Sequence, residues 1–542
     1  MLADLRQRAA SWTGVTTVAA IAAGASLLGG CGGSSSQVQP HVRTATPLIT
    51  MFEAEPQLHA DPEATIRLLR HIGVDVIKVY LPWGSIAPDP GVRQPPAGFN
   101  AADPASYDAA GWTVYDTIVS DARALGVRVA LTIGGPPPLW AAGAGAPRGK
   151  PHPQWRPSAS DYGAFVTAVG RRYSGHYTPP AAVTPLPRVS FWSIWNEPNY
   201  GPDLAPQAID RSTVEVSPML YRGLLDAAWS ALGATGHGHD TILIGELAPR
   251  GLTVGNVPGN FSGMVPLRFL RALYCVDGSF HLLRGAAATA RGCPATAAGS
   301  RAFRAANPGL FEASGLAAHT YPQGAEPPTH VTQFEPDYAD FARIHKLEAT
   351  LDRLMTMYGG HAGLPIYSTE FGYKTDPPYV SGAAPQTAAA DINWAEYLSW
   401  LDPRVRSFDQ YLLIDPPGTA LSNFATGLEF ASGTPKPSYR AFEMPIWLPV
   451  STFSSGQRLL VWGDVRPARL ARRVFHRAQS VQIQFRAASA TDFETIRTVP
   501  LTDPYGYFEI AQSFPGSGTV RLAWRYPHGP RIFSRLVPVA GH

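Results

Sequence analysis

Residues 188–198 read RVSFWSIWNEP. The first eight form an apolar run rich in aromatic and β-branched residues, long enough for one buried strand, and Pro198 ends it. A glutamate, Glu197, stands where the strand stops. The pattern recurs further on. Residues 365–372 read PIYSTEFG, an apolar run that stops at Glu370. Two short buried strands that each end on a carboxylate suggest a parallel sheet whose strand ends line one mouth.

Outward from these two strands the chain alternates short apolar runs with amphipathic segments. Strands are predicted at 48–52, 74–81, 127–133, 188–195, 241–247, 315–319, 365–369 and 407–414, and helices at 63–72, 116–125, 162–173, 219–232, 341–358 and 388–401. Asp61-Pro62 supplies an N-cap followed by proline, and Gly73 and Gly126 sit where helices stop. Eight strands with intervening helices predict an α/β fold, a (β/α)8 TIM barrel over 46–445. After Pro445 helical periodicity is absent. Segments such as VQIQF (481–485) and TVRLAW (519–524), separated by Asp-Pro-Tyr-Gly and Pro-Gly-Ser-Gly turns, predict a small C-terminal β-sandwich accessory domain over 446–542. From Ser451 to His542 its Trp residues are Trp462 and Trp524. Trp524 alternates within a strand and reads as core, which favours a bracing role over polysaccharide binding.

The length of 542 residues suits a barrel plus a module. With 45% hydrophobic and 16% charged residues the chain is that of a folded protein. The formal net charge is +3 and no basic run stands out, so nucleic acid is not an expected partner. Arg6 and Arg8 precede an apolar, small-residue stretch at 15–28, and Leu28-Gly29-Gly30-Cys31 follows. This reads as an export signal over 1–31 with a lipobox-like end, Cys31 as the lipidated residue and 32–45 as a flexible tether. The protein is then expected outside the cytoplasm, as a cell-surface lipoprotein or secreted, touching membrane only through the lipid. An ordinary cleaved signal or an uncleaved anchor is the alternative. Cys275 and Cys293 remain, and in an oxidising compartment they are expected to form a disulfide rather than stay as two thiols. Zinc-site spacings are absent, and neither metal nor cofactor is expected.

Active sites of such barrels lie at the C-terminal ends of the strands, where Glu197 and Glu370 are predicted. Hydrolysis of a glycosidic bond needs two carboxyl groups. One protonates the leaving oxygen, and the other, ionised, attacks or stabilises the anomeric carbon. Glu197 is assigned as acid/base and Glu370 as nucleophile.

Asn196-Glu197-Pro198 after strand four, with Glu370 after strand seven, resembles the clan A glycoside hydrolases, most closely families 39 and 5, over residues 46–445. The resemblance settles the weaker strands above and implies a retaining glycosidase acting on a carbohydrate substrate. It implies that Asn196 bonds a sugar 2-hydroxyl, that His319 and Tyr321 lie near the nucleophile with Tyr321 donating to Glu370, and that Trp83 and Trp140 are aromatic contacts to sugar. Lys78 stands where the clan often carries an arginine that positions the nucleophile. The clan's Trp after strand eight is missing, with Tyr411 or Asp415 as substitutes. Glu246, Glu53 and Glu55 are expected near the rim, as sugar contacts or as salt bridges. The expected substrate is an extracytoplasmic poly- or oligosaccharide. Transglycosylation by the same glutamates and a non-catalytic carbohydrate-binding lipoprotein are the alternatives.

Overall fold

Eight parallel strands close on one another in chain order: β1 (Ile49–Glu53), β2 (Val76–Pro82), β3 (Arg128–Gly134), β4 (Phe191–Ile194), β5 (Thr241–Leu247), β6 (Gly315–His319), β7 (Ile366–Glu370) and β8 (Val405–Tyr411). β8 pairs with β1, from Ile49 opposite Ser407 to Glu53 opposite Tyr411. This computed structural model describes residues 39–41, 43, 46–252, 259–333, 335–418 and 424–542. The expected export signal, Cys31 and most of the proposed tether lie outside them. Among the described residues no helix is long and apolar enough to cross a membrane.

The expected (β/α)8 barrel is therefore present, with every predicted strand within three residues of its place. The physical reason is two-sided burial. Barrel strands carry apolar residues on both faces, so they stand out as continuous runs. Outward residues such as Ile77, Leu131, Trp192 and Ile244 pack beneath the surrounding helices. Inward residues Met51, Val76, Ala130, Phe191, Leu243 and Ala317 fill the barrel at the strands' N-terminal half. The helices are amphipathic and capped: Asp61 accepts from the Ala64 amide, and Asp108 from that of Ala110. Cys275 and Cys293 form a disulfide in the insertion between β5 and β6.

The C-terminal region holds a six-stranded and a three-stranded sheet. Val461 and Leu459 of one share a core with Val481, Ile483, Val520 and Leu522 of the other, which makes a β-sandwich. One element departs from expectation. Residues read as lacking helical periodicity form the helix Arg466–Phe475. Its buried face is Arg466, Pro467, Ala468 and Ala471, too small and too polar to show as a hydrophobic stripe. The sandwich is bonded into the barrel wall. Arg466, fully buried, pairs with Glu396 of the helix Pro385–Leu401 and donates to Thr50 of β1. Trp462 and Tyr507 pack with Tyr397 and Trp400.

Candidate active site

Glu197 and Glu370 reach the same mouth from β4 and β7. The chain leaves β4 through left-handed backbone at Trp195 (φ 69°) and Glu197 (φ 38°), conformations that cost non-glycine residues about 1–3 kcal/mol each and persist where the surroundings enforce them. Here the surroundings are explicit. The Glu197 amide donates to the Glu246 carbonyl at 2.9 Å. The buried Asn199 side chain accepts from the Ala248 amide and donates to the Ala248 and Met264 carbonyls. The buried Gln207 amide donates to the Pro198 and Leu204 carbonyls. These bonds tie the loop after β4 to the end of β5.

The two carboxylates, with side chains 20% and 12% exposed, are the wettest members of a buried ionic cluster. Oxygens of Glu197 and Glu370 and a ring nitrogen of His319 lie within 4.8 Å of one another. Lys78 Nζ donates to Glu370 Oε1 at 2.8 Å and stands 2.9 Å from Glu53 and 3.5 Å from Glu246. Tyr321 donates to the other Glu370 oxygen at 3.0 Å. Both oxygens of Glu370 are thus held, one by a charge and one by a hydroxyl.

His319 bridges two carboxylates: Nδ1 is 2.8 Å from Glu197 Oε1, and Nε2 is 2.7 Å from Glu246 Oε2. Nε2 is also 3.3 Å from Glu370. A ring with an acceptor at each nitrogen is satisfied when both carry protons, that is, as imidazolium. The electrostatics agree. Burial disfavours the charge, but Glu370 and the bonds to Glu197 and Glu246 outweigh it and, against Lys78, raise the pKa to about 10. Burial likewise disfavours charge on Lys78, and Glu246, Glu370 and Glu53 outweigh it, keeping the ammonium well above its ordinary range. Glu246 is wholly buried, yet Lys78 and His319 hold it far below the usual carboxylate range. It also accepts from Thr132 and Thr369. Burial, with Lys78 opposing, raises Glu53 above neutrality. Asp409 of β8 has both oxygens buried without a hydrogen bond, and burial pushes its pKa well up. The floor thus sets two cations, Lys78 and His319, against Glu246, with Glu53 and Asp409 both raised by burial.

Glu197, His319 and Glu370 offer three possible metal-ligand atoms.

Other expected site residues divide. Asn196 is half-buried beside Glu197, and its amide makes no hydrogen bond among the described residues. Trp83 is a correction. It is fully buried, stacked on Phe165 at 5.6 Å and edge-on to Trp140. β2 ends at Pro82 and a short helix begins at Trp83, which turns the indole into the outer core rather than towards a sugar. Trp140 is half-buried, with its indole N–H donating to the Pro88 carbonyl. Glu246 and Glu53 are not rim residues but floor, 0% and 5% exposed. Asp415 does not replace the missing tryptophan. It is locked to Lys436 Nζ at 2.8 Å and to the Gly427 amide. β8 stops at Tyr411 because Leu412 turns left-handed (φ 76°). Tyr411 instead lines a cavity of about 420 Å³ with Glu53, Glu55 and Phe424, edge-on to Tyr321. Sequence reading missed Asp203, on the loop after β4, where burial and then Glu197 push the carboxyl well above its usual range. Nothing in its local pattern marks it.

No family model matches the chain, and no curated protein does. Solved structures similar to it include a family 39 glycoside hydrolase from the gut symbiont Bacteroides cellulosilyticus, at 15% identity over 86% of this chain and 81% of that one, TM-score 0.43. A glucosidase from Croceicoccus marinus is 14% identical over 91% and 96%, TM-score 0.43. A beta-glycosidase from the hyperthermophile Thermosphaera aggregans is 14% identical over 71% and 84%, TM-score 0.43. Likenesses this distant assign no activity.

Proposed function

We propose that the protein is a retaining glycoside hydrolase that cleaves O-glycosidic bonds of a poly- or oligosaccharide by double displacement. The observation that carries this is the pair Glu197 and Glu370 at the C-terminal ends of β4 and β7, with one oxygen of each within 4.8 Å of the other. Retaining enzymes hold their carboxyl groups about 5–5.5 Å apart, and inverting ones leave room for a water between them. The surroundings of the two differ in the sense required. Glu370 is flanked by Lys78 and Tyr321, which stabilise an anion and fix its attack line. Glu197 faces a protonated ring nitrogen of His319. In the first step Glu370 attacks the anomeric carbon while Glu197 protonates the leaving oxygen, the proton being drawn from His319 Nδ1. In the second step Glu197 removes a proton from water, the water oxygen displaces Glu370 from the anomeric carbon, and the proton returns to the Glu197–His319 pair. Asn196, with a free amide beside Glu197, is placed to bond a sugar hydroxyl.

The sequence-level signal and Cys31 support an extracytoplasmic setting and lipid anchoring as part of the same reading. The test is Glu370→Ala with added azide, assayed on a panel of aryl glycosides and polysaccharides. Loss of hydrolysis of about 10⁴-fold or more, with azide restoring release as the inverted glycosyl azide, is expected. A mutant with full activity would remove Glu370 from the chemistry.

A further inference from the structure

Where the larger sheet of the sandwich meets the barrel there is a groove of about 1010 Å³. Its barrel wall includes Gln386, Lys436 and Arg440, at the starts of the helices Pro385–Leu401 and Pro437–Glu443. These helices follow β7 and β8, so in a parallel barrel they begin at the strand ends that carry Glu197 and Glu370. Its sheet wall carries Arg521, Arg531 and Arg535.

The charges on these walls are unbalanced. Lys436 has a carboxylate partner, Asp415. Among the described residues Arg440, Arg521, Arg531 and Arg535 form no ion pair. Glu443 is the carboxylate on the wall, and burial raises its pKa despite Arg440. Burial, then Arg486 and Arg531, lower the proton affinity of Arg521, as expected for cations that face one another.

Arg521 is also pre-set. Its guanidinium lies 3.9 Å from the ring centroids of both Phe493 and Phe533. Its Nε donates to Gln484 at 2.9 Å. Arg486 stands over Phe493 at 5.0 Å. A guanidinium clamped between two rings with one donor fixed loses little freedom on binding, and its remaining N–H fork matches a carboxylate in two parallel bonds.

We propose that this groove is a second binding site, for a carboxylated sugar chain of the uronic acid type, with Arg521 as the fork and Arg531 taking a neighbouring acid group. The choice of a sugar chain rests on the glycosidase reading of the mouth. The anion preference does not.

The experiment is affinity electrophoresis and calorimetry of the full chain with polygalacturonate, alginate, fully methyl-esterified polygalacturonate, inorganic phosphate and duplex DNA. Binding to at least one of the two acidic polysaccharides is expected, with none to the neutral ester. Arg521→Gln should weaken it about tenfold, and Arg521→Lys should weaken it several-fold because the charge stays but the fork is lost. The melting temperature and activity on a small aryl glycoside should hold in both variants. Binding to neither acidic polysaccharide, equal binding of the ester, or no effect of either substitution overturns the proposal. Duplex DNA or free phosphate binding as tightly as the polysaccharides overturns the sugar assignment. A wild type that binds acidic chains but cleaves no glycoside would sink the glycosidase reading alone.

Discussion

Two buried ionic clusters hold this molecule together, and they differ in how far they are sealed. At the seam between barrel and sandwich, Arg466 meets Glu396 and Asp464 with side chains 1%, 0% and 1% exposed. At the mouth, Lys78 and His319 meet Glu53, Glu246, Glu370 and Glu197, and the last two remain 12% and 20% exposed. Both clusters make desolvated charge tolerable by pairing it. The sealed one can only position its elements. The open one presents two carboxylates to a ligand, Glu370 held by Lys78 and Tyr321 and Glu197 by His319. Buried charge therefore marks a site here where part of the cluster faces solvent.

The largest effect should separate the two clusters by kind. Lys78→Met is expected to lower kcat/KM about 10²–10³-fold, in the range for removal of one preorganised charge at a reacting centre, and steady-state kinetics on the aryl glycoside would show it. Arg466→Met should do the reverse. It is expected to lower stability by about 3–5 kcal/mol, because Glu396 is left buried and unpaired, while kcat/KM measured below the melting point stays near wild type. Denaturant titration alongside kinetics reads both. If Arg466→Met impaired turnover as severely as Lys78→Met, the contrast would collapse.

A smaller effect concerns pH. His319 is raised in the folded state to about 10 from an ordinary 6.5. Its contribution to stability is thus fully present below pH 6.5 and is lost as pH rises towards 10. Glu53, raised by burial, also makes the folded state bind more protons and slopes the same way. The melting temperature should fall across pH 6.5–10, and His319→Gln should flatten that slope. The smallest effect belongs to Asp203. Burial and then Glu197 raise its pKa, so Asp203→Asn, a neutral group of the same shape, should alter kcat/KM by less than about threefold. A large loss would show that Asp203 ionises during turnover.

Much of this was legible in the sequence, for identifiable reasons. Barrel strands buried on both faces give unbroken apolar runs, and a glutamate at the end of such a run, as at Glu197 and Glu370, can only face the mouth. Lys78 was legible through the resemblance, which places it where the clan often carries an arginine that positions the nucleophile. The burial of Glu53 and Glu246 as floor beneath it was not. Glu246 turns inward through a register shift between Gly245 and Leu247 and a left-handed φ of 48°, which no local pattern announces. Asp409 sits in SFDQY like an ordinary alternating residue. Trp83 looked like a sugar platform because it follows a strand, and only the turn at Pro82 sends it into the outer core. The groove arginines are dispersed from 440 to 535 and form no run, so their grouping exists only in three dimensions.

The most direct test of the central claim is the stereochemistry of the first product, followed by proton NMR of the anomeric signal from the start of hydrolysis. The short separation of Glu197 and Glu370 predicts that the sugar is released first with the configuration it had in the substrate. Initial release of the opposite anomer would mean that water, not Glu370, attacks the anomeric carbon, and would contradict the account.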